Sequence, residues 1–231
     1  MCGRFTLRQP DLLAERFQAQ LTFEGKVQAR FNVAPSQSVP IVVENHQVRE
    51  LRLARWGLIP SWAKDPSIGN RLINARAETL SEKPSFRSAL RSRRCLVPAD
   101  GFFEWQRTPA GRTPFFVQRH DAGVFAFAGL YEQWRDAAGQ PVTTCTIITT
   151  QPNDVLMHGG VDGGVIHDRM PAILLPDDEA LWLGPDAGEH DTWRTVLKPY
   201  PAEWLLAHPV TTRVNSPAND APELVMEHAV G

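Results

Sequence analysis

Long apolar runs are missing from this chain. Stretches such as VFAFAGLY at 124–131 are far too short to cross a bilayer as a helix. Cysteine is scarce as well. Only Cys2, Cys95 and Cys145 occur, an odd number with no CxxC pair, and no apolar leader is read ahead of them. That excludes a disulfide framework and a Cys-rich zinc motif, and it suits a reducing cytoplasm. Lysine is nearly absent: of the 24 basic residues only Lys26, Lys64, Lys83 and Lys198 are lysines. Arginine is favoured where planar, bidentate contact to phosphate or carboxylate is needed. No internal repeat, low-complexity linker, βαβ series or glycine-rich phosphate loop is present, so nucleotide-binding folds of those kinds are excluded. A net charge of -2 gives no global positive field toward nucleic acid.

What is present is an ordinary soluble composition in 231 residues, enough for one large domain with a sizeable core. A single domain over 1–231 is expected. Residues 9–21 (QPDLLAERFQAQL) read as an amphipathic helix, with Leu12, Leu13, Phe17 and Leu21 at helical spacing. PIVVE (40–44) and RELRLARW (49–56) read as paired strands around a turn at NHQ. RCLVPADGFFEWQ (94–106) reads as strand, turn, strand. PFFVQR (114–119), VFAFAGLYEQW (124–134) and TTCTIITT (143–150) continue the β pattern. Helix-like pieces fall at 81–93, 177–184, 190–198 and 201–208. Strands in the centre and helices at the margins predict an α+β fold, with a mixed or antiparallel sheet curled toward a barrel.

Several stretches are odd for pure scaffold. MCGRF puts a cysteine directly behind the initiator methionine. If Met1 is removed, Cys2 carries an α-amine and a thiol on adjacent carbons, which no internal cysteine can match. INARAET (73–79) sets Asn74, Arg76 and Glu78 at alternate positions, so an extended segment would show all three on one face. GFFEW places Glu104 between aromatics, and IHDRMP packs His167, Asp168 and Arg169 into a turn. Each also has a plain structural reading: a disordered terminus for Cys2, a helix cap for Asn74, an outward strand residue for Glu104, a surface turn for His167. Cys95 and Cys145, in apolar strand patterns, read as small buried core residues. His158, Asp162, His167 and Asp168 match no familiar zinc spacing, so no metal and no other cofactor is expected.

Taken together, MCGRF, RFNVAPSQ, WGLIPSW, INARAET, RCLVPADGFFEW, TIITTQPN, IHDRMPAIL and HPVTTRVNSPANDAPELV resemble the SRAP family, the SOS-response-associated peptidases. The resemblance runs from residue 1 to about residue 225. It implies a single α+β domain on a curled sheet. It also implies binding to abasic sites in single-stranded DNA, with covalent attachment through the N-terminal cysteine. By resemblance, Cys2 is the nucleophile, and Asn74, Glu104 and His167 complete the catalytic set. Arg4, Arg76 and Arg169 fall where DNA phosphates are held. Asn32, Pro35, Trp62 and Thr149 would line the groove, with Phe86 as a further stacking or wedge surface. A monomer acting on abasic single-stranded DNA, away from membranes, is the expectation.

The chemistry asks for these residue types. An abasic sugar must open to expose its aldehyde, and a proton donor such as His167 would help. The α-amine of Cys2, with a free value of roughly 7.7–8.0, can attack the aldehyde to give a Schiff base. Closure by the thiol would then form a thiazolidine. Glu104 would move protons, and Asn74 would orient the cysteine or the sugar. Arg71, Arg76, Arg87, Arg91, Arg93 and Arg94 would make the groove basic if they converge. Two features depart from the family pattern. The glycine-rich stretch before His167 is longer than usual, and Pro84 stands where some relatives carry a basic residue beside a strand-separating wedge. Other activities stay open: a thiol peptidase limited to the Met1–Cys2 bond or acting more broadly, a non-covalent single-strand binder, or an N-terminal-nucleophile amidohydrolase. The last would be expected to carry Arg-Trp-Ala-Thr and Asn-Gly motifs, and neither string occurs.

Overall fold

The alternation of apolar residues along β4 (Ser38–Asn45), β7 (Arg94–Ala99) and β10 (Phe125–Arg135) feeds two cores at once. Ile41, Val43, Cys95, Val97, Phe125 and Phe127 enter one cluster, while Val42, Leu96, Ala126 and Ala128 enter another on the opposite face. Strands buried on both faces read as near-continuous apolar runs, as these do. The computed structural model describes residues 2–109, 111–185 and 192–229.

The remaining strands are β1 (Arg4–Leu7), β2 (Ala19–Leu21), β3 (Arg30–Val33), β5 (Val48–Trp56), β6 (Asn74–Arg76), β8 (Gly101–Thr108), β9 (Gly111–Arg119), β11 (Pro141–Thr150), β12 (Met170–Pro171), β13 (Ile173–Leu174) and β14 (Leu205–Pro209). The helices are α1 (Leu13–Phe17), α2 (Pro84–Ser92), α3 (Asp154–His158) and α4 (Pro176–Leu183). Strands β5, β4, β7, β10 and β11 pair in that order. Strand β11 then returns to β5 in parallel, Thr144 opposite Arg55 and Cys145 opposite Trp56, which closes a five-stranded barrel. A second sheet, ordered β14-β9-β8-β1-β3, packs its Phe5, Val33, Phe102 and Val117 into the core shared with the barrel. The expected α+β class with a curled mixed sheet is what forms. Helices α1, α2 and α4 cover the barrel's other core with Leu13, Phe17, Phe86, Ala89, Leu90 and Trp182.

Some expected elements differ. The helix read over 9–21 shortens to a 3-10 turn and α1, because Gln18 adopts a left-handed conformation (φ 51, ψ 45) and stops it. Residues 19–21 then pair in parallel with β5. At 201–208 only Ala202–Trp204 is helical; the rest is β14, drawn out by pairing along β9 from Leu205–Arg119 to Pro209–Phe115. At 190–198 the described part is one 3-10 turn, Thr192–Thr195, and residues 190 and 191 lie outside the described residues. The shared face expected for Asn74, Arg76 and Glu78 ends at Arg76, since a 3-10 turn begins at Ala77.

Candidate active site

Two sheet pairings build the site. Strand β1 lies between β3 and β8, with Arg4 opposite Phe103 and Phe5 opposite Phe102, so Cys2 runs beside the stretch of β8 that carries Glu104. Strand β6 lies in parallel on β11, with Asn74 opposite Ile147 and Arg76 opposite Thr149. The Asn74 side-chain amide donates to the backbone carbonyl of Cys2 at 2.7 Å, tying the two sheets together at the nucleophile. Asn74 is a strand residue here, not a helix cap.

Cys2 and Glu104 are buried, and His167 is half-buried. His167 Nε2 lies 3.8 Å from Glu104 Oε2. His167 Nδ1 lies 3.0 Å from the backbone N–H of Arg169. The Asp168 carboxylate also lies 3.0 Å from Nδ1. Burial pushes the Glu104 carboxyl up to about 7, with the Asp168 charge adding to the rise. Burial pulls His167 below its ordinary value, against the opposing pull of Asp168. The two shifts run in opposite directions: Glu104 keeps its proton up to about pH 7, and His167 gives its proton up more readily than a free imidazole. The Cys2 thiol is raised well above its ordinary range by burial and then by the Glu104 charge, so it is a protonated thiol in this setting.

A stability prediction follows for Glu104. Its folded value of about 7 exceeds the ordinary 4.5, so the folded protein keeps a proton that the unfolded chain has lost. Stability is therefore lost as pH rises from about 4.5 to 7 and stays low above that. Glu104→Gln, which has nothing to ionise, is expected to be more stable than the unchanged protein at pH 8 by about 3 kcal/mol. The advantage should shrink to near zero at pH 4.5. Chemical denaturation at the two pH values measures it, and an equal difference at both would refute the assignment.

The residues expected to face DNA divide. Arg76 and Trp62 are exposed, Trp62 at 61%, and Pro35 sits half-buried in the turn after β3. Arg169 donates to the Thr149 carbonyl at 2.7 Å and bidentately to Glu78 at 2.6 and 2.9 Å. Thr149 itself is buried, so it holds Arg169 rather than offering a surface. Arg4 is half-buried and donates to the carbonyls of Gly3 and Asn215 at 2.9 and 3.3 Å.

Besides Thr149, two further expected groove residues do not line one. Asn32 is fully buried, and its amide donates to the carbonyls of Val214, Ser216 and Asn219, pinning the C-terminal segment against β3. Phe86 is 6% exposed and packs with Ala89 and Leu90 into the core, because these three share one face of α2. The arginine cluster divides too. Arg94 is buried and Arg93 pairs with Glu132 at 3.0 Å, whereas Arg71, Arg76, Arg87 and Arg91 are exposed. Glu78 and Asp168 were visible in the motifs but not assigned as site residues. Their signal was adjacency to Arg76 and His167, and their partners are fixed only by the fold. Among the described residues no three His, Cys, Asp or Glu side chains gather into a metal-holding group.

Comparison with known proteins gives the family. The family model described as SOS response associated peptidase (SRAP) matches residues 1–217. The abasic site processing protein YoqW of Bacillus subtilis is 47% identical over 231 residues, covering 99% of this chain and all of that protein. The abasic site processing protein HMCES of Gallus gallus is 34% identical, over 96% of this chain and 73% of its own length. A crystal structure of a protein from Bacteroides thetaiotaomicron superimposes with a TM-score of 0.86 at 29% identity, covering 99% of this chain and all of that one. In sequence and in fold alike, the chain belongs to the SRAP family.

Proposed function

We propose that this protein recognises abasic sites in single-stranded DNA and shields them by a covalent bond through Cys2 once Met1 has been removed. The observation that carries the reading is the meeting of Cys2, Asn74, Glu104 and His167 from four separate stretches of chain, with Asn74 holding the Cys2 backbone at 2.7 Å. The relatives' shared name, abasic site processing protein, supports the substrate.

The chemistry runs as follows. Glu104, protonated up to about pH 7, gives a proton to the sugar ring oxygen as the hemiacetal opens. The Cys2 α-amine adds to the aldehyde carbon, and the carbinolamine loses one water to become an imine. The thiol then adds to the imine carbon and its proton passes to the nitrogen, closing a thiazolidine. Because burial keeps the thiol protonated, the amine attacks first and the sulfur second. His167, with Nε2 toward Glu104, orients the ring oxygen and relays protons to the carboxyl. Arg76, with Arg4 and Arg169, meets the flanking phosphates, Arg169 exchanging its Glu78 carboxylate for a phosphate oxygen. A protonated, buried thiol is poorly suited to general thiol proteolysis, which favours the DNA reading over a broad peptidase.

The test is direct. Protein lacking Met1 is mixed with single-stranded DNA bearing one abasic site, denatured, and weighed intact. The expected product survives heat and detergent and has the summed mass of the partners less one water. Methoxyamine, which blocks the aldehyde, should prevent it. Equal retention of intact DNA, or no covalent mass, would sink the proposal.

A further inference from the structure

The glycine-rich turn before His167 is a closed structure. Gly160 N–H donates to the Gly164 carbonyl at 2.9 Å, Gly163 N–H to Gly160 at 3.1 Å, and Gly164 N–H to Val161 at 3.0 Å. Its neck is tied to α3, since the N–H groups of Ile166 and His167 both donate to the Leu156 carbonyl, at 2.8 and 3.3 Å. Helix α3 is capped by Asn153, whose side-chain oxygen accepts the Leu156 N–H. The other side of the turn is held by one side chain from a different sheet. Gln106 Oε1 accepts the Val161 N–H at 2.8 Å, and its Nε2 donates to the Val161 carbonyl at 3.3 Å.

Gln106 is 5% exposed and lies two residues beyond Glu104 on β8, so the two share a face of the strand. The glycines make room for it. A Cβ at Gly164 would stand 2.6 Å from Gln106 Nε2, and one at Gly160 would stand 2.7 Å from the same atom. The strand that carries Glu104 and the turn that leads into His167 are thus joined by a two-bond amide clamp.

We infer that Gln106 is a positioning residue, which sets the spacing of the Glu104–His167 pair by clamping the turn at residues 159–164. It acts through the turn, and the inference rests on the function proposed above only for its kinetic consequence. His167 faces Glu104 at 3.8 Å and Asp168 at 3.0 Å; burial, then the charge of the chain's α-amine, and least the Arg107 charge oppose its protonation, while Asp168 favours it. A turn released from Gln106 lets the imidazole move away from the buried carboxyl and toward water.

The test compares Gln106→Leu, which keeps the volume and loses both bonds, with Gly164→Ala, which pushes the turn off the amide from the other side. The imidazole resonances of His167 are followed through a pH titration of the free protein, with adduct formation on abasic single-stranded DNA as a second readout. In both variants the His167 titration midpoint should rise toward the ordinary value of roughly 6.5. The rate of adduct formation should fall by roughly tenfold or more, with its pH profile displaced. Unchanged His167 midpoints in the variants, with only a lower melting temperature, would overturn the inference and leave Gln106 as a brace. The titration needs no DNA. If the unchanged protein forms no adduct, the proposed function fails while the clamp is still decided by the titration.

Discussion

Cys2→Ala, with Met1 removed, is expected to lose the denaturation-resistant adduct altogether while still giving a product that borohydride can trap. Alanine keeps the α-amine, so the imine still forms, but there is no thiol to close the ring and the imine hydrolyses. The variant should keep its fold at the site, because Asn74 grips the backbone carbonyl of residue 2 rather than its side chain. The assay is a denaturing gel run with and without borohydride, followed by intact mass. A stable adduct as abundant as that of the unchanged protein would exclude the thiazolidine. An active form that retains Met1 would exclude the amine as nucleophile. A variant that is neither trapped nor stable would place the first bond on sulfur and reverse the order argued from the raised thiol.

The second large effect is on stability. Arg94 is buried and, among the described residues, has no carboxylate partner in its hydrogen bonds. Its guanidinium donates to the carbonyls of Leu90 and Arg91 at 2.6 and 2.8 Å, and to those of Trp182 and Gly184 at 2.6 and 2.5 Å. The first two lie at the C-terminal end of α2 and the others at that of α4. Helix ends leave such carbonyls without intrahelical donors and carry partial negative charge. One planar cation therefore satisfies both ends and ties the two helices to β7. Arg94→Met fills the space but orphans four carbonyls, two of them in buried bonds and two in partly buried ones. It should cost about 4 kcal/mol, a fall in melting temperature of about 10 °C. Arg94→Lys should recover only part of this, since an ammonium offers three donors without the planar fork. Thermal denaturation measures both, and a loss under about 1 kcal/mol for Arg94→Met would refute the stapling role.

Arg94 also shows why a cluster of arginines in sequence is an ambiguous sign. Six arginines between 71 and 94 read as one basic groove. Arg93 and Arg94 face Glu132 and a set of carbonyls instead. Asn32 and Phe86 mislead in the same way. A motif shows that a residue type is wanted, and it does so equally for a residue that touches substrate and for one that holds the wall behind it. Burial separates the two cases, and burial depends on contacts between residues far apart in the chain, such as Asn32 with Val214.

The local patterns alone determined a good deal. The β4–β5 hairpin, the successive strands β7 and β8, and β9, β10 and β11 were legible, because alternation and turn residues act within a few positions. The reactive grouping at residue 2 was legible because its chemistry needs no neighbour to be recognised. Motif order was enough to assign the family. The tertiary structure decided the rest. Parallel pairing of β11 with β5 closes the barrel, and pairing with β9 makes a strand of residues read as a helix. Burial of Glu104 and His167 in the same recess raises the carboxyl's hold on a proton and lowers the imidazole's. Desolvation, which sets those protonation states, belongs to the assembled site and to no single residue in it.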